Sequence, residues 1–282
     1  MSEQATGPLP PSPVRTSRRW RLSAPWLVVL GAVILVAVVA ATLASPNANF
    51  YPLMSYSDLQ TDEERYKDLK MGLFMAHTSG FFWGQFVALF LGVFLAARLP
   101  GTSRALAAAV PAGVLLAAAN LVVAWWTASD TRDSLAWYAE NVPAWGLSAD
   151  PLADNGFPHM LTATLAGYPL AAVAGVGLGT LAAPLLRGPA VATTLLAIVT
   201  VTPYSVLTLI FGIVAATEDD EPVALFGALA LLPPAPVIPA VIRSSLGDHG
   251  GAFVITMLVS GAAWAALLLT AGRLAESRRA RA

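Results

Sequence analysis

The sequence predicts an all-α integral membrane protein with six transmembrane helices and both termini in the cytoplasm. Hydrophobic residues make up 56% of the 282 residues and charged residues only 12%, whereas about a quarter of the residues in a soluble domain are charged. Apolar runs long enough to cross the roughly 30 Å hydrocarbon core recur with short breaks. We expect one membrane domain over residues 26–272, between a basic, partly disordered leader (1–25) and a basic tail (273–282).

The first apolar run, Trp26 to Leu43, follows a leader that contains four arginines: Arg15, Arg18, Arg19 and Arg21. A secretory signal peptide has the same polarity, but its apolar region is only about 7–15 residues long. We therefore interpret this run as an uncleaved first span. Five further runs predict the remaining spans: Gly72–Ala97, Ala105–Thr127, Leu161–Leu186, Ala190–Ala216 and Ala252–Gly272.

The distribution of charge sets the expected topology, because cytoplasmic loops hold an excess of Lys and Arg. The six spans place the basic segments on one side: the leader, the turn with Arg98 and Arg104, Arg187, and the tail with Arg273, Arg278, Arg279 and Arg281. The loops on the opposite side are acidic: Asp58 to Asp68, Asp130 to Asp154, and Glu218 to Glu221. This pattern places both termini in the cytoplasm.

One further apolar segment, Val223–Ile242, contains Pro233, Pro234, Pro236 and Pro239. Proline removes a backbone donor and clashes with the preceding helical turn. Non-helical backbone at membrane depth is tolerated only where protein or a water-filled cavity satisfies it. We favour a re-entrant or interfacial hairpin over a seventh span, which would place the basic tail outside.

Aromatic residues mark the outer boundary of the membrane. Trp125 and Trp126 at the end of the third span are typical aromatic-belt anchors. The segment Ser134–Trp145 mixes tryptophan and tyrosine with Glu140, which predicts a short helix at the headgroup level.

Ionisable residues are nearly absent from the predicted spans, where such groups usually signal function. The three histidines, His77, His159 and His249, are interpreted as interfacial or hydrogen-bonded side chains in preference to proton relays. Their spacing does not suit a metal site, and the chain has no cysteine. We predict no metal, cofactor or nucleic-acid partner.

The pair Ser79-Gly80 suggests the alternative of an intramembrane serine protease. Such an enzyme needs a general base within hydrogen-bond reach of the serine, and His77 lies two residues away on the same predicted helix. Packing is the favoured explanation, because small residues four apart let helices approach closely. Gly80 with Gly84, and Gly175 with Gly179, are such pairs.

The chain also lacks the sequence needed to hydrolyse ATP. A P-loop requires Gly-Lys followed by Ser or Thr, and the only lysines, Lys67 and Lys70, precede Asp68 and Met71. We predict no catalytic residues and no enzymatic activity in this chain.

Four stretches together resemble the membrane subunit, or permease, of type-2, export-class ATP-binding-cassette (ABC) transporters of the form common in actinomycetes. They are "ALFLGVFLAARLPGTSRALAAAVPAG" (88–113), "AANLVVAWW" (118–126), "GYPLAAVAGVGLGTLAAPLLRGPAVATTLLAIV" (167–199) and "LLLTAGRLAESRRARA" (267–282). The resemblance implies a six-span permease domain that dimerises with itself or with a second permease. It also implies a separate cytoplasmic ATPase as partner.

In such permeases an amphipathic leader lies on the cytoplasmic face, and the turn between the second and third spans meets the ATPase. By position, the resemblance assigns the interface leader to Arg15, Arg18, Arg19 and Arg21, and the coupling turn to Arg98, Gly101, Thr102, Ser103 and Arg104. The family usually has a glutamate before the Gly-Thr pair, where this chain has Leu99 and Pro100. Within the turn, Pro100 and Gly101 are expected to end the second helix, and Thr102 or Ser103 to cap the third.

These features predict a permease that moves an amphipathic or hydrophobic solute across the bacterial cytoplasmic membrane, an efflux role driven by the partner ATPase. The paucity of internal charges argues against a hydrophilic path. The alternative is a polytopic membrane protein that transports nothing and serves as an immunity, scaffolding or sensor-associated subunit.

Overall fold

A computed structural model describes residues 24–45, 61–77, 83–142, 157–182 and 250–281. This part of the chain is helical and contains no strand. Its helices are α1 (Ala24–Ala44), α2 (Asp62–His77), α3 (Trp83–Arg98), α4 (Thr102–Thr127), α5 (Ser129–Asn141), α6 (Phe157–Ala182) and α7 (Gly250–Arg281). The predicted all-α class is confirmed for these residues.

Three of the described helices are long and apolar enough to cross a membrane: Pro25–Ala44, Thr102–Thr127 and Thr164–Ala182. They coincide with the first, third and fourth predicted spans. Gly84–Arg98 is a shorter apolar helix. The predicted fifth span, Ala190–Ala216, and the proline-containing segment Val223–Ile242 lie outside the described residues.

The predicted second span, Gly72–Ala97, is shared between two of the described helices, α2 and α3. Its first residues form the end of α2, and most of the remainder forms α3. Helix α2 begins at Asp62, ten residues before the predicted span, within the segment interpreted as an acidic loop. Acidic residues in a first turn are favoured by the helix dipole, so the charged segment suits a helix start.

Two other boundaries differ from prediction. The short helix expected over Ser134–Trp145 begins earlier, at Ser129. Helix α7 continues past Gly272 to Arg281, so the predicted basic tail is a helical extension of the last apolar run.

Contacts between helices fix their relative directions. Gly177 and Thr180 of α6 lie beside Leu268 and Gly272 of α7 respectively, so these two helices run parallel. Helix α3 runs the same way, because its Leu89 lies against Gly175 and its Val93 against Gly179.

Helix α4 runs opposite to α6, since Gly113 lies against Pro169 and, further along α4, Asn120 meets the earlier Thr164 at the carbonyl of His77. Helix α1 runs with α4. Its first half packs with the first half of α4 in one apolar cluster, and Ala40 and Ala44 pack with Ala124 and Ala128 in another. The end of the bundle that holds the last turns of α3, α6 and α7 and the first turn of α4 is called the basic end. The opposite end, which holds α5 and the last turns of α1 and α4, is called the acidic end.

The tightest packing lies between α3, α6 and α7, where glycines leave no room for a side chain. A Cβ atom on Gly92 would overlap the carbonyl of Ala172, and one on Gly175 would overlap the carbonyl of Leu89. A Cβ atom on Gly177 would lie 2.7 Å from the backbone of Leu268. Backbones that approach this closely maximise van der Waals contact, the main packing force between helices in lipid.

Helices α4 and α6 each contain an internal proline, Pro111 and Pro169. Proline has no N–H, so the carbonyl four residues earlier lacks its usual helical donor. The two helices meet near these positions, because a Cβ atom on Gly113 would lie 2.7 Å from Cα of Pro169.

Candidate functional site

The turn that joins α3 to α4 has a backbone that only glycine adopts without strain. Helix α3 ends at Arg98, and α4 begins at Thr102. Between them, Gly101 has φ of 84° and ψ of 141°, a region of backbone conformation that is essentially restricted to glycine. A Cβ atom here would meet nothing closer than Oε1 of Glu276, at 3.7 Å. Conformation, not crowding, therefore requires glycine.

The expected capping of α4 by a hydroxyl is wrong. Gly101 occupies the N-cap position, and no side chain caps the helix. The Thr102 hydroxyl instead donates a hydrogen bond to Oε2 of Glu276 on α7, at 2.6 Å. Thr102 is buried, and a hydrogen bond to a carboxylate is stronger than one between neutral groups. The turn is thereby attached to a helix 174 residues later in the chain.

The same stretch of α7 also attaches to α6. Nη2 of Arg279 donates to the carbonyl of Thr180 at 3.0 Å and to that of Leu181 at 3.4 Å. These carbonyls belong to the last turn of α6, where backbone acceptors lack helical donors and the helix dipole favours a cation. Glu276 and Arg279 therefore connect the turn, α7 and the end of α6.

The remaining polar side chains of the turn face outward. Arg98, Ser103 and Arg104 are exposed. The Arg98 guanidinium also lies 5.4 Å from the centroid of the Phe94 ring, a distance that suits a cation–π contact. The result is a turn anchored to α7 that presents two arginines and a serine hydroxyl to its surroundings.

The other predicted site residues lie elsewhere. The leader arginines Arg15, Arg18, Arg19 and Arg21, and Gly80, fall outside the described residues. Gly84 is buried near the start of α3. Gly175 and Gly179 both lie against α3, where added Cβ atoms would contact Leu89 and Val93.

A buried polar cluster joins α2, α4 and α6, and sequence reasoning identified only one of its members, His77. The backbone carbonyl of His77 accepts hydrogen bonds from Nδ2 of Asn120 and from Oγ1 of Thr164, the latter at 3.3 Å. Nδ1 of His77 lies 2.8 Å from the carbonyl of Leu73. All three polar residues are at most 1% exposed. The His77 side chain is thus hydrogen-bonded within its own helix, and it is the His77 backbone carbonyl that joins the neighbouring helices.

Two residues that matter to these sites carried a weak signal in the sequence. Asn120 is the only amide side chain in the predicted third span. Glu276 follows Gly272 by four residues and precedes Arg279 by three, so all three share one face of a helix. Among the described residues, no group of three or more His, Cys, Asp or Glu is placed to hold a metal ion.

The described bundle thus offers one exposed turn, anchored to α7, at its basic end and one buried polar cluster within it. No protein-family model matches the chain, and no curated protein or solved structure matches it significantly.

Proposed function

We propose that this chain is the permease subunit of an ABC exporter that moves an amphipathic or hydrophobic solute across the bacterial cytoplasmic membrane. In this proposal the chain has six spans, both termini are cytoplasmic, and the permease acts as a homodimer or with a second permease. A separate cytoplasmic ATPase supplies the energy and contacts the turn from Arg98 to Arg104.

The observation that carries the proposal is the construction of this turn. A turn through which an ATPase moves the membrane spans must be rigid, and it must also expose groups that the ATPase can contact. Gly101 permits the positive-φ backbone of the turn, the Thr102–Glu276 hydrogen bond attaches the turn to α7, and Arg98 and Arg104 remain exposed. Glu276 also brings a carboxylate to the Gly-Thr pair, although it comes from α7 and not from the position preceding the turn.

The contacts of α7 suggest how movement of the turn would be transmitted. Displacement of Thr102 would act on α7 through Glu276, and α7 would act on α6 through Arg279. The close glycine packing of α3, α6 and α7 would make them move together. Closure of two ATPases could then favour one of two arrangements of the spans, a nucleotide-biased shift between states.

Affinity purification from native membranes in mild detergent tests the proposal. We expect an ATP-binding-cassette ATPase to co-isolate with the wild-type chain and with Arg65→Glu, a charge reversal of an exposed arginine on α2. Arg98→Glu combined with Arg104→Glu should lose the ATPase while the permease still elutes as a single peak in gel filtration. A wild-type chain that never carries an ATPase would refute the proposal.

The orientation is testable because the chain has no native cysteine. Ser129 at the acidic end and Ser277 at the basic end are both exposed. A membrane-impermeant maleimide should label Ser129→Cys in intact cells and Ser277→Cys only after the membrane is opened. The reverse pattern would contradict cytoplasmic termini.

The buried polar cluster favours a second candidate, a membrane protein that transports nothing. Asn120 and Thr164 both donate to one backbone carbonyl, so these groups hold helices together and do not line a path. Under this candidate, the purified chain carries another membrane protein and no ATPase.

A further inference from the structure

We propose that the outward face of the last turns of α7 binds the headgroups of anionic phospholipids. The face consists of Arg273, Arg278 and Arg281, with Leu274 between them and Leu267 two turns earlier. All five side chains are exposed, the leucines by 55% and 58% respectively. The proposal concerns this chain alone and does not depend on an ATPase.

The helical geometry separates this face from the protein contacts of α7. At about 100° per residue, the three arginines and two leucines fall within an arc of about 140°. Gly272, Glu276 and Arg279 lie on the opposite side, where Gly272 packs on α6 and the other two side chains form the contacts with α4 and α6. The three outward arginines therefore take no part in these contacts between α7 and the rest of the bundle.

The depth of this face in the membrane follows from the length of α4. From Thr102 to Trp126 the helix rises about 36 Å, slightly more than the roughly 30 Å hydrocarbon core. With Trp126 at one membrane boundary, as its 80% exposure and aromatic character suggest, Thr102 lies at the other. Glu276 contacts Thr102, so this part of α7 crosses the level of the lipid headgroups.

The positions of the three arginines relative to Glu276 suit a headgroup layer. Arg281 is five residues beyond Glu276, about 7.5 Å further from the core. Arg273 lies about 4.5 Å on the core side, from where its long side chain extends to the boundary. Leu267 and Leu274 would contact the acyl chains below.

The charge of the segment selects anionic lipids. Residues 273–281 contain four arginines and a single acidic residue, Glu276, and the Glu276 carboxylate already accepts the Thr102 hydroxyl. Arginine binds phosphate through paired N–H donors. Each basic residue near a membrane surface contributes about 1 kcal/mol of attraction to anionic lipid, which corresponds to about fivefold in affinity.

Lipid titration of the full-length chain in detergent tests this proposal. The probes are dioctanoyl-phosphatidylglycerol, neutral dioctanoyl-phosphatidylcholine and inorganic phosphate, and the readout is the rise in melting temperature with concentration. We expect only phosphatidylglycerol to raise the melting temperature strongly. Arg278→Gln should weaken its apparent Kd about fivefold, and the triple glutamine variant of Arg273, Arg278 and Arg281 about a hundredfold.

Controls separate a local lipid site from a general effect of charge. Arg65→Gln removes an exposed arginine from α2 and should leave the apparent Kd unchanged, while the triple lysine variant should retain most of the affinity. Equal stabilisation by the two lipids, an effect of phosphate equal to that of phosphatidylglycerol, or an Arg65→Gln effect equal to that of Arg278→Gln would overturn the proposal. If the triple variant does not fold, Arg278→Gln and Arg281→Gln decide the question.

Discussion

At the basic end of the bundle, charged side chains of α7 contact segments far away in the sequence, whereas at the acidic end the arginine of α5 contacts the helix just before it. Thr102 and Glu276 are 174 residues apart, and Arg279 and Thr180 are 99 apart. At the acidic end, Nη1 of Arg132 donates to the carbonyl of Trp125, only seven residues earlier, at 2.6 Å.

Aromatic rings also make contacts at the acidic end. Tyr66 of α2 and Tyr138 of α5 pack edge to face, with ring centroids 6.1 Å apart. The Arg132 guanidinium lies 4.1 Å from the centroid of the Trp125 ring. Partial burial lowers the pKa of Arg132, and the nearby Asp133 opposes this shift.

At both ends of the bundle, side-chain donors form hydrogen bonds with the last backbone carbonyls of a helix. Arg279 does this for α6, and Arg132 does it for α4. The Thr131 hydroxyl donates to the carbonyl of Ala44, the last residue of α1, at 2.9 Å. Helix α5 is therefore joined to the preceding helix through Arg132 and to the distant α1 and α2 through Thr131 and Tyr138. At the basic end, the turn and the end of α6 are both attached to α7.

The largest expected effect is at the glycine contact that brings α6 against α3. Gly175→Leu places a side chain where the carbonyl of Leu89 already lies, so the helices must separate. Overpacking costs about 1–3 kcal/mol where neighbours yield, and a backbone carbonyl yields less than a side chain. We expect loss of most of the monodisperse protein in gel filtration.

The matched control is Gly31→Leu in α1, where a Cβ atom would meet nothing within 4 Å. Its yield should stay near that of the wild type. Equal yields from Gly175→Leu and Gly31→Leu would show that the α3–α6 contact does not hold the bundle together.

The second effect concerns the turn itself. Gly101→Val forces a β-branched residue into a positive-φ conformation, at a cost of about 1–3 kcal/mol. Thermal unfolding should detect a lower melting temperature, whereas Gly31→Val should unfold close to the wild-type temperature. An unchanged melting temperature for Gly101→Val would mean that the turn relaxes freely and is not rigid.

The third effect compares the two ends directly. Thr102→Val removes a hydroxyl that donates to a carboxylate, and Thr131→Val removes one that donates to a carbonyl. We expect a loss of about 1.5–3 kcal/mol at Thr102 and about 1 kcal/mol at Thr131, because hydrogen bonds to charged groups contribute more. Chemical denaturation in detergent measures both.

A double-mutant cycle of Thr102→Val with Glu276→Gln isolates the bond at the basic end. The two substitutions should be non-additive by about 1 kcal/mol or more, because residues in direct contact couple. Additive losses would show that the two side chains act independently.

The smallest effect is expected at Arg132. Arg132→Lys keeps the charge but loses the planar stacking on Trp125, which contributes about 0.5–1 kcal/mol at an exposed ring. Arg65→Lys on α2 serves as the control and should be neutral. A neutral Arg132→Lys would indicate that the hydrogen bond to the Trp125 carbonyl, and not the ring contact, holds α5 in place.

The long helices were predictable because their signal lies in the sequence of each helix itself. A run such as Trp26–Leu43 is apolar over the full thickness of a membrane, and α1 follows it closely. Helix α2 was missed because its first half is charged. Its buried residues nevertheless recur at helical spacing, as Tyr66, Leu69 and Leu73, and Thr61 with Glu64 has the spacing of a capping box.

The candidate site was predictable only in part, for a physical reason. The Pro-Gly break locates the turn at residues 100 and 101, and the structure places the turn there. The role of the Thr102 hydroxyl depended on which acceptor folding would bring to it. A local backbone N–H was the expected partner, but the Glu276 carboxylate on α7 took its place, and no local pattern encodes that encounter.

The internal prolines of α4 and α6 give this helix pair a mechanical property. Pro111 and Pro169 each remove one backbone hydrogen bond from their helix. Because Gly113 lies against Pro169, the two missing hydrogen bonds are close together in space. Bending either helix at this level breaks one hydrogen bond fewer than bending it elsewhere. The α4–α6 pair is therefore most compliant near Gly113, between the basic end and the buried polar cluster.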